Sequence, residues 1–260
     1  MPPAVDSAFA RWLAEKAGDL LCALRAEMGH ADPDALRAAG DKSSHNLIAT
    51  ALARWRPADE ILSEEGVRDA PERLSADRVW IVDPLDGTRE YGETDRTDWA
   101  VHIGLWARGS TAPSRLAAAA VALPASQRVL ATDFPPAYPP MSAQAAAGGA
   151  LRLAASRSRP PAFLAALAAE VGADLVPMGS AGAKIAAVIS GDVDAYVHAG
   201  GQYEWDSAAP VAVACATGLH ASRLDGSTLE YNCPDPLLPD LVVCRKDLAP
   251  QLLAALRRVK

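Results

Sequence analysis

The sequence of 260 residues predicts a layered α/β or α+β fold, and three observations carry that prediction. Strand-like and helix-like patterns are interleaved in both halves of the chain. Half of the residues are apolar, enough for a substantial core. The regular strand–helix–strand rhythm of a doubly wound sheet is missing. A formal charge of −7 argues against a nucleic-acid or anionic-membrane surface, which would need a stripe of Lys and Arg. No apolar run approaches the ~20 residues that span a bilayer. Asp6, Arg11, Glu15 and Lys16 interrupt any signal-peptide core, so a cytoplasmic protein is expected. Cys22, Cys215, Cys233 and Cys244 have neither metal-site nor disulfide-framework spacing and are expected to be reduced thiols.

Taken in order, residues Asp6–Met28 place Phe9, Leu13, Leu20, Leu21 and Leu24 at helical spacing, and Asn46–Trp55 continue in that style. Ile61-Leu62 and Val79–Val82 read as short strands. Asp98–Trp106 alternates Trp99, Val101, Ile103 and Leu105 with smaller or polar residues, as a strand with one buried face does. Ala117–Leu123 and Arg128–Thr132 read as a hairpin of the same sheet. The proline-rich stretch Phe134–Ala150 is the candidate link. It separates an N-terminal α+β half, residues 1–140, from a C-terminal α/β half, residues 150–260. The second half offers strands at Leu151–Ala155, Val193–His198, His220–Leu224 and Leu241–Arg245, with helices at Ala162–Val171, Ala181–Ser190 and Ser207–Thr217.

The most telling string is Val79-Trp80-Ile81-Val82-Asp83-Pro84-Leu85-Asp86-Gly87-Thr88. Four apolar residues form a buried strand that stops at a carboxylate, and Pro84 is expected to turn the chain through a tight corner there. Asp83, Asp86 and the Leu85 carbonyl could supply oxygen ligands to a hard cation such as Mg²⁺. Gly87 would let a backbone N–H approach an anion, and Thr88 would open a helical turn. An ordinary turn after a strand requires neither the second aspartate nor the threonine.

Other segments could complete such a site. Ser63-Glu64-Glu65 follows a strand, as shared metal ligands or as a solvated loop. Asp206 precedes an Ala-rich helix, where it could be an N-cap or, pointed at the same corner, a further ligand. Gly179-Ser180 opens another helix whose N-terminus either binds phosphate or is capped by Ser180. Ser156-Arg157-Ser158-Arg159 could be a phosphate clamp or a basic surface loop. His102 and His198 have no partner at metal-ligand spacing and receive no catalytic role.

In order, Ser63-Glu64-Glu65, Asp83–Thr88 and Trp205-Asp206-Ser207-Ala208-Ala209 resemble one family. It comprises the lithium-sensitive, magnesium-dependent phosphomonoesterases, among them inositol monophosphatase, fructose-1,6-bisphosphatase and the CysQ-type 3′(2′),5′-bisphosphate nucleotidases. The resemblance implies an α-β-α-β-α sandwich assembled as a homodimer. It implies that Glu64, Asp83, Asp86, Asp206 and the Leu85 carbonyl hold two or three Mg²⁺, with Glu64 also in the catalytic set. Asp41 takes the position of the aspartate that works with Thr88 on the attacking water, and the Gly87 and Thr88 amides contact the scissile phosphate. Ser156, Arg157, Ser158, Gly179, Ser180, Lys184 and Glu204 look most like substrate contacts of the CysQ branch, its actinobacterial members in particular. That branch hydrolyses the 3′-phosphate of adenosine 3′,5′-bisphosphate to give AMP, in connection with sulfate assimilation. One departure bears on the third, most weakly held metal and on Li⁺ inhibition: many relatives carry a lysine several residues before the Asp41 position, and Leu36-Arg37-Ala38-Ala39-Gly40 has none.

Inositol monophosphate or a sugar bisphosphate is the alternative substrate. A haloacid-dehalogenase-type phosphatase would use D-x-D, whereas Asp83 and Asp86 are spaced D-x-x-D, so neither is read as a nucleophile. A catalytically silent metal or anion sensor would have no use for Asp41 and Thr88, which serve the water.

Overall fold

The computed structural model describes residues 1–66 and 71–259. The helices are α1 (Asp6–Met28), α2 (Pro33–Trp55), α3 (Glu72–Ser75), α4 (Thr88–Gly92), α5 (Ala143–Ala146), α6 (Leu164–Val171), α7 (Ala181–Ser190), α8 (Glu204–Ala216) and α9 (Ala249–Val259). The strands of the first sheet are β1 (Glu60–Ser63), β2 (Arg78–Asp86), β3 (Ala100–Ala107), β4 (Leu116–Leu123) and β5 (Arg128–Ala131), in that spatial order. The second sheet comprises β6 (Leu151–Ser156), β7 (Ala173–Met178), β8 (Ala195–Tyr203), β9 (His220–Ser222) and β10 (Leu237–Cys244), ordered β7-β6-β8-β10-β9.

Both sheets are mixed. β1 and β2 are parallel and the other pairs of the first sheet antiparallel. In the second, β7, β6 and β8 are parallel while β10 runs against β8 and β9. Period-2 alternation gives each sheet two apolar faces. Trp80, Val82, Val101, Ile103 and Leu105 pack under Phe9, Leu13 and Leu21 of α1 and Leu36, Ile48 and Leu52 of α2. Val79, Ile81, Ala119 and Val121 face the other way, onto α7 and α8, whose far sides meet Ala154, Tyr196, Leu241 and Val243 of the second sheet. The outer face of that sheet, with Leu153, Ala195, Val197 and Val242, is covered by Leu164 and Leu167 of α6 and Leu252 and Leu256 of α9. The five layers are therefore helix, sheet, helix, sheet, helix, as the resemblance implies.

Five elements differ notably from the sequence reading. α2 begins at Pro33 rather than Asn46, with the Asp32 carboxylate accepting from the Ala35 amide at 3.0 Å. Its buried stripe is Leu36, Gly40, Ser44, Ile48, Leu52, and the small or polar members hide the apolar period. β7 and α9 had no assignment in the sequence. α8 starts at Glu204, so Asp206 lies inside the first turn instead of capping Ser207. β2 does not stop at Asp83 but continues through Pro84 to Asp86.

The link between the sheets is tied down by a buried carboxylate. Asp194 accepts from the Ser142 amide at 2.8 Å, the Ser142 hydroxyl at 2.6 Å and the Arg152 amide at 2.9 Å. Removing it would strand these donors in the interior. Asp194→Ala is expected to cost roughly 3 kcal/mol of stability, read as a lowered urea midpoint, and to open residues 134–149 to limited proteolysis; an unchanged midpoint would refute this role.

Candidate active site

One irregularity in β2 builds the centre of the site. Asp83 pairs with His102 and Asp86 with Ala100, so three steps along β2 match two along β3. In a regular strand, residues an odd number apart face opposite sides of the sheet. The extra residue at the Pro84-Leu85 step resets the alternation and brings both carboxylates to one side. The Ser44 hydroxyl holds the Pro84 carbonyl at 2.7 Å, and the Leu85 amide donates to Asp83 Oδ1 at 3.0 Å. Glu64 lies just past the end of β1, and the parallel register Ser63↔Val82 sets it beside Asp83.

Asp206 reaches the same place from the third layer. At the third position of α8 its carboxylate accepts from the Tyr203 amide at 2.6 Å, the reciprocal half of a capping box. Asp83, Asp86 and Asp206 can each place one carboxylate oxygen within 4.8 Å of the others. Burial is the main reason the Asp83 carboxyl is pushed well above its ordinary range, and the charges of Glu64, Asp86 and Asp206 add to it. Burial likewise raises Asp206 to about 8, helped by Asp86 and Glu64. An all-oxygen set of crowded anions that resists ionising in the absence of cations suits a hard divalent metal.

The N-terminus of α7 holds a protein carboxylate. Asp86 Oδ2 accepts from the Ser180 hydroxyl at 2.5 Å and the Gly182 amide at 2.7 Å, while the Ser180 oxygen in turn accepts from the Ala183 amide at 2.9 Å. Ser180 thus caps α7, whose first turn also receives the Asp86 carboxylate. Gly87 has φ 84°, a left-handed conformation that favours glycine and starts α4 at Thr88. The Thr88 hydroxyl lies 3.0 Å from the Leu85 carbonyl and 3.4 Å from Asp41 Oδ1. Burial, together with nearby Glu65, lifts Asp41 to about 6 against the lowering contact with Thr88.

These groups border a cavity of about 530 Å³, within the range of small-molecule sites. Of the residues singled out in the sequence, Glu64, Asp83, Leu85, Asp86, Gly87, Thr88, Ser156, Ser158, Gly179, Ser180, Lys184 and Asp206 line it. Asp41 stands behind Thr88. Two of the expected substrate contacts, Arg157 and Glu204, do not border the cavity. Arg157 is turned away and donates to Glu90 Oε1 at 2.7 Å and Glu93 Oε1 at 2.8 Å; Arg159 borders the cavity in its stead. Glu204 is buried and accepts from the Asn232 and Cys233 amides at 2.6 and 2.8 Å, fixing the loop before β10. Lys184 lines the wall, but its ammonium donates to the Ser180 and Gly179 carbonyls at 2.7 and 3.0 Å, and burial lowers its pKa. The sequence offers no role for Tyr196, His198, Gly201 and Gln202, which border the cavity from β8. Gly201 and Gln202 gave little signal because strand β8 continues through Gly200 and Gly201, which read as a loop.

The model of the inositol monophosphatase family matches residues 6–260. The chain belongs to the inositol monophosphatase family. It is 51% identical to the 3'-phosphoadenosine 5'-phosphate phosphatase of Mycobacterium leprae (strain TN) over 98% of this chain and 94% of the relative. A more distant relative is the 3'(2'),5'-bisphosphate nucleotidase CysQ of Salmonella typhimurium, 26% identical over 84% of this chain and 91% of that one. Among solved structures, Mycobacterium tuberculosis SuhB superimposes with a TM-score of 0.72 at 26% identity, covering 98% of this chain and 96% of SuhB. Membership of this phosphatase family and the layered fold agree with the reading of the motifs.

The raised carboxyls fix the pH dependence of the metal-free protein. The folded chain binds protons at Asp206 that the unfolded chain, with a carboxyl near 3.8, has released. That contribution to stability is complete below the unfolded value and is lost as pH rises through about 8. In EDTA the melting temperature is expected to fall between pH 5 and pH 8 (about the span set by this linkage), and added Mg²⁺ to restore more at the upper end. A flat profile with no Mg²⁺ effect would contradict a crowded acid cluster.

Proposed function

We propose that this chain is a Mg²⁺-dependent phosphomonoesterase that hydrolyses the 3′-phosphate of adenosine 3′,5′-bisphosphate to give AMP and phosphate. The observation that carries it is the juxtaposition of Asp83, Asp86 and Asp206 on one cavity with Thr88, which is paired to Asp41. The choice of substrate is supported by the name of the mycobacterial relative that is 51% identical over nearly the whole chain.

Glu64, Asp83, Asp86, Asp206 and the Leu85 carbonyl would hold the metal. When bound there, divalent cations supply Lewis acidity, lowering the pKa of water and neutralising phosphate charge. The protein's own part is positional and acid–base. Each aspartate of the cluster has one oxygen held by a backbone amide, at Leu85 for Asp83, Gly182 for Asp86 and Tyr203 for Asp206. The other oxygen faces its task with little reorganisation. Asp41 orients the attacking water through Thr88 and accepts its proton; a carboxyl near 6 is a competent base at neutral pH. The Gly87 and Thr88 amides hold the phosphate. Water attacks phosphorus in line, the P–O3′ bond breaks, and the leaving oxygen takes a proton from solvent. The chain itself forms no bond to phosphorus.

Ser158, Arg159 and the β8 wall remain for the rest of the nucleotide. The family resemblance supports the finer parts of the reading: two or three Mg²⁺ per site, inhibition by Li⁺, a homodimer and a link to sulfate assimilation.

Two experiments test this. Asp83→Asn and Asp206→Asn are expected to abolish Mg²⁺-dependent phosphate release while circular dichroism stays that of the wild type; wild-type rates in either would sink the assignment. In turnover of adenosine 3′,5′-bisphosphate, inositol 1-phosphate and fructose 1,6-bisphosphate, the nucleotide should have the highest kcat/KM. A preference for either of the others would transfer the assignment to that substrate.

A further inference from the structure

His102 is fully buried on β3, yet one edge of its ring meets an acid of the cluster and the other meets the helix turn that carries Asp206. Nδ1 lies 3.0 Å from the Trp205 carbonyl. A carbonyl only accepts, so Nδ1 carries the hydrogen and donates. Trp205 immediately precedes Asp206 in the first turn of α8, and its indole is itself buried and stacked on Tyr203 at 4.7 Å between centroids. The imidazole therefore fixes the peptide from which the Asp206 side chain springs. On the opposite edge, Nε2 lies 3.3 Å from Asp86 Oδ2, in contact without a hydrogen bond. That same oxygen is the one held by Ser180 and Gly182.

The surrounding backbone is shaped to admit this ring. A Cβ on Gly182 would stand 2.0 Å from Nε2, closer than any side-chain atom can come. The first turn of α7 can receive Asp86 only because residue 182 has no side chain to collide with His102. One imidazole thus stands where β2, β3, α7 and α8 meet, between a carboxylate from the first sheet and the helix turn that carries another.

We propose that His102 is a positioning residue that sets the spacing of Asp86 and Asp206, and through it the affinity of the site for its divalent cation. This rests on the metal-binding reading given above. An ordinary core side chain at this position would need no polar edge toward Trp205 and would leave Mg²⁺ binding untouched. Groups that orient metal ligands typically contribute 10–100-fold in affinity, and His102 holds the backbone of one such carboxylate while bounding the other.

The test is Mg²⁺ titration of the metal-free protein by calorimetry, with melting temperatures recorded in EDTA. His102→Leu, which fills the space without the Nδ1 donor, is expected to weaken Mg²⁺ binding by about 10-fold or more. It should raise the Mg²⁺ needed for half-maximal rate while leaving the KM for nucleotide at saturating Mg²⁺ nearly unchanged. His102→Asn, whose amide can take the place of Nδ1, should recover most of the affinity. Val121→Ala, beside His102 on β4, should lower the melting temperature and leave Mg²⁺ affinity as it is. If His102→Leu does not fold, His102→Gln, which cannot reach Trp205 in the same way, serves with the same expected weakening. A melting temperature lowered without change in Mg²⁺ affinity would overturn the proposal. Wild-type protein that binds no Mg²⁺ would overturn the underlying metal reading instead.

Discussion

Like charges held together out of water are the constraint around which this molecule is arranged. Asp83, Asp86 and Asp206 are close enough to share an ion, and burial alone would favour their neutral forms. The chain offsets part of that cost with backbone donors: one amide from the bulge of β2, one from the first turn of α7, and one from the residue ahead of α8. Two of these lie at helix N-termini, where the exposed amides and the helix dipole favour negative charge. Lys184 adds a buried cation nearby. The layered fold is the means of bringing these helix ends to the end of one strand.

That strand owes its usefulness to a departure from regularity. Had β2 simply continued, Asp83 and Asp86 would point to opposite faces. Had it ended at Asp83, Asp86 would hang on a loop of its own. Pro84 removes a ladder donor, the extra residue shifts the register, and pairing resumes at Asp86 opposite Ala100. A rigid sheet can thus present two carboxylates side by side, which a metal site needs more than it needs the acids' number.

The sequence displayed the acids but not their surroundings. Glu64, Asp83, Asp86 and Asp206 stood out because each follows an apolar strand or opens an Ala-rich helix, and the ordered motifs carried the layer architecture with them. Local pattern could not show that Gly40 and Ser44 belong to a buried stripe, since their smallness is a response to packing partners far along the chain. Nor could it show whether Arg157 or Arg159 faces the cavity, because the answer depends on Glu90 and Glu93, more than sixty positions away, capturing the first of them. The resemblance places Glu204 among the substrate contacts, but one position in the helix separates its direction from that of its neighbours, and its carboxylate meets the Asn232-Cys233 backbone. His102 gave no signal at all: its meaning lies in a carbonyl of α8 that only the tertiary structure brings to it.

The order of the chain adds a consequence in time. A ribosome delivers Glu64, Asp83 and Asp86 long before α7 and α8, so the nascent first sheet holds its acids in water, where their mutual repulsion is slight. The desolvation of the cluster falls due only as α8 docks, and the same docking buries Trp205, Ala208 and Val211 against Val79, Ile81 and Val121. Desolvation of the acids and burial of the apolar face of α8 thus belong to one and the same docking step.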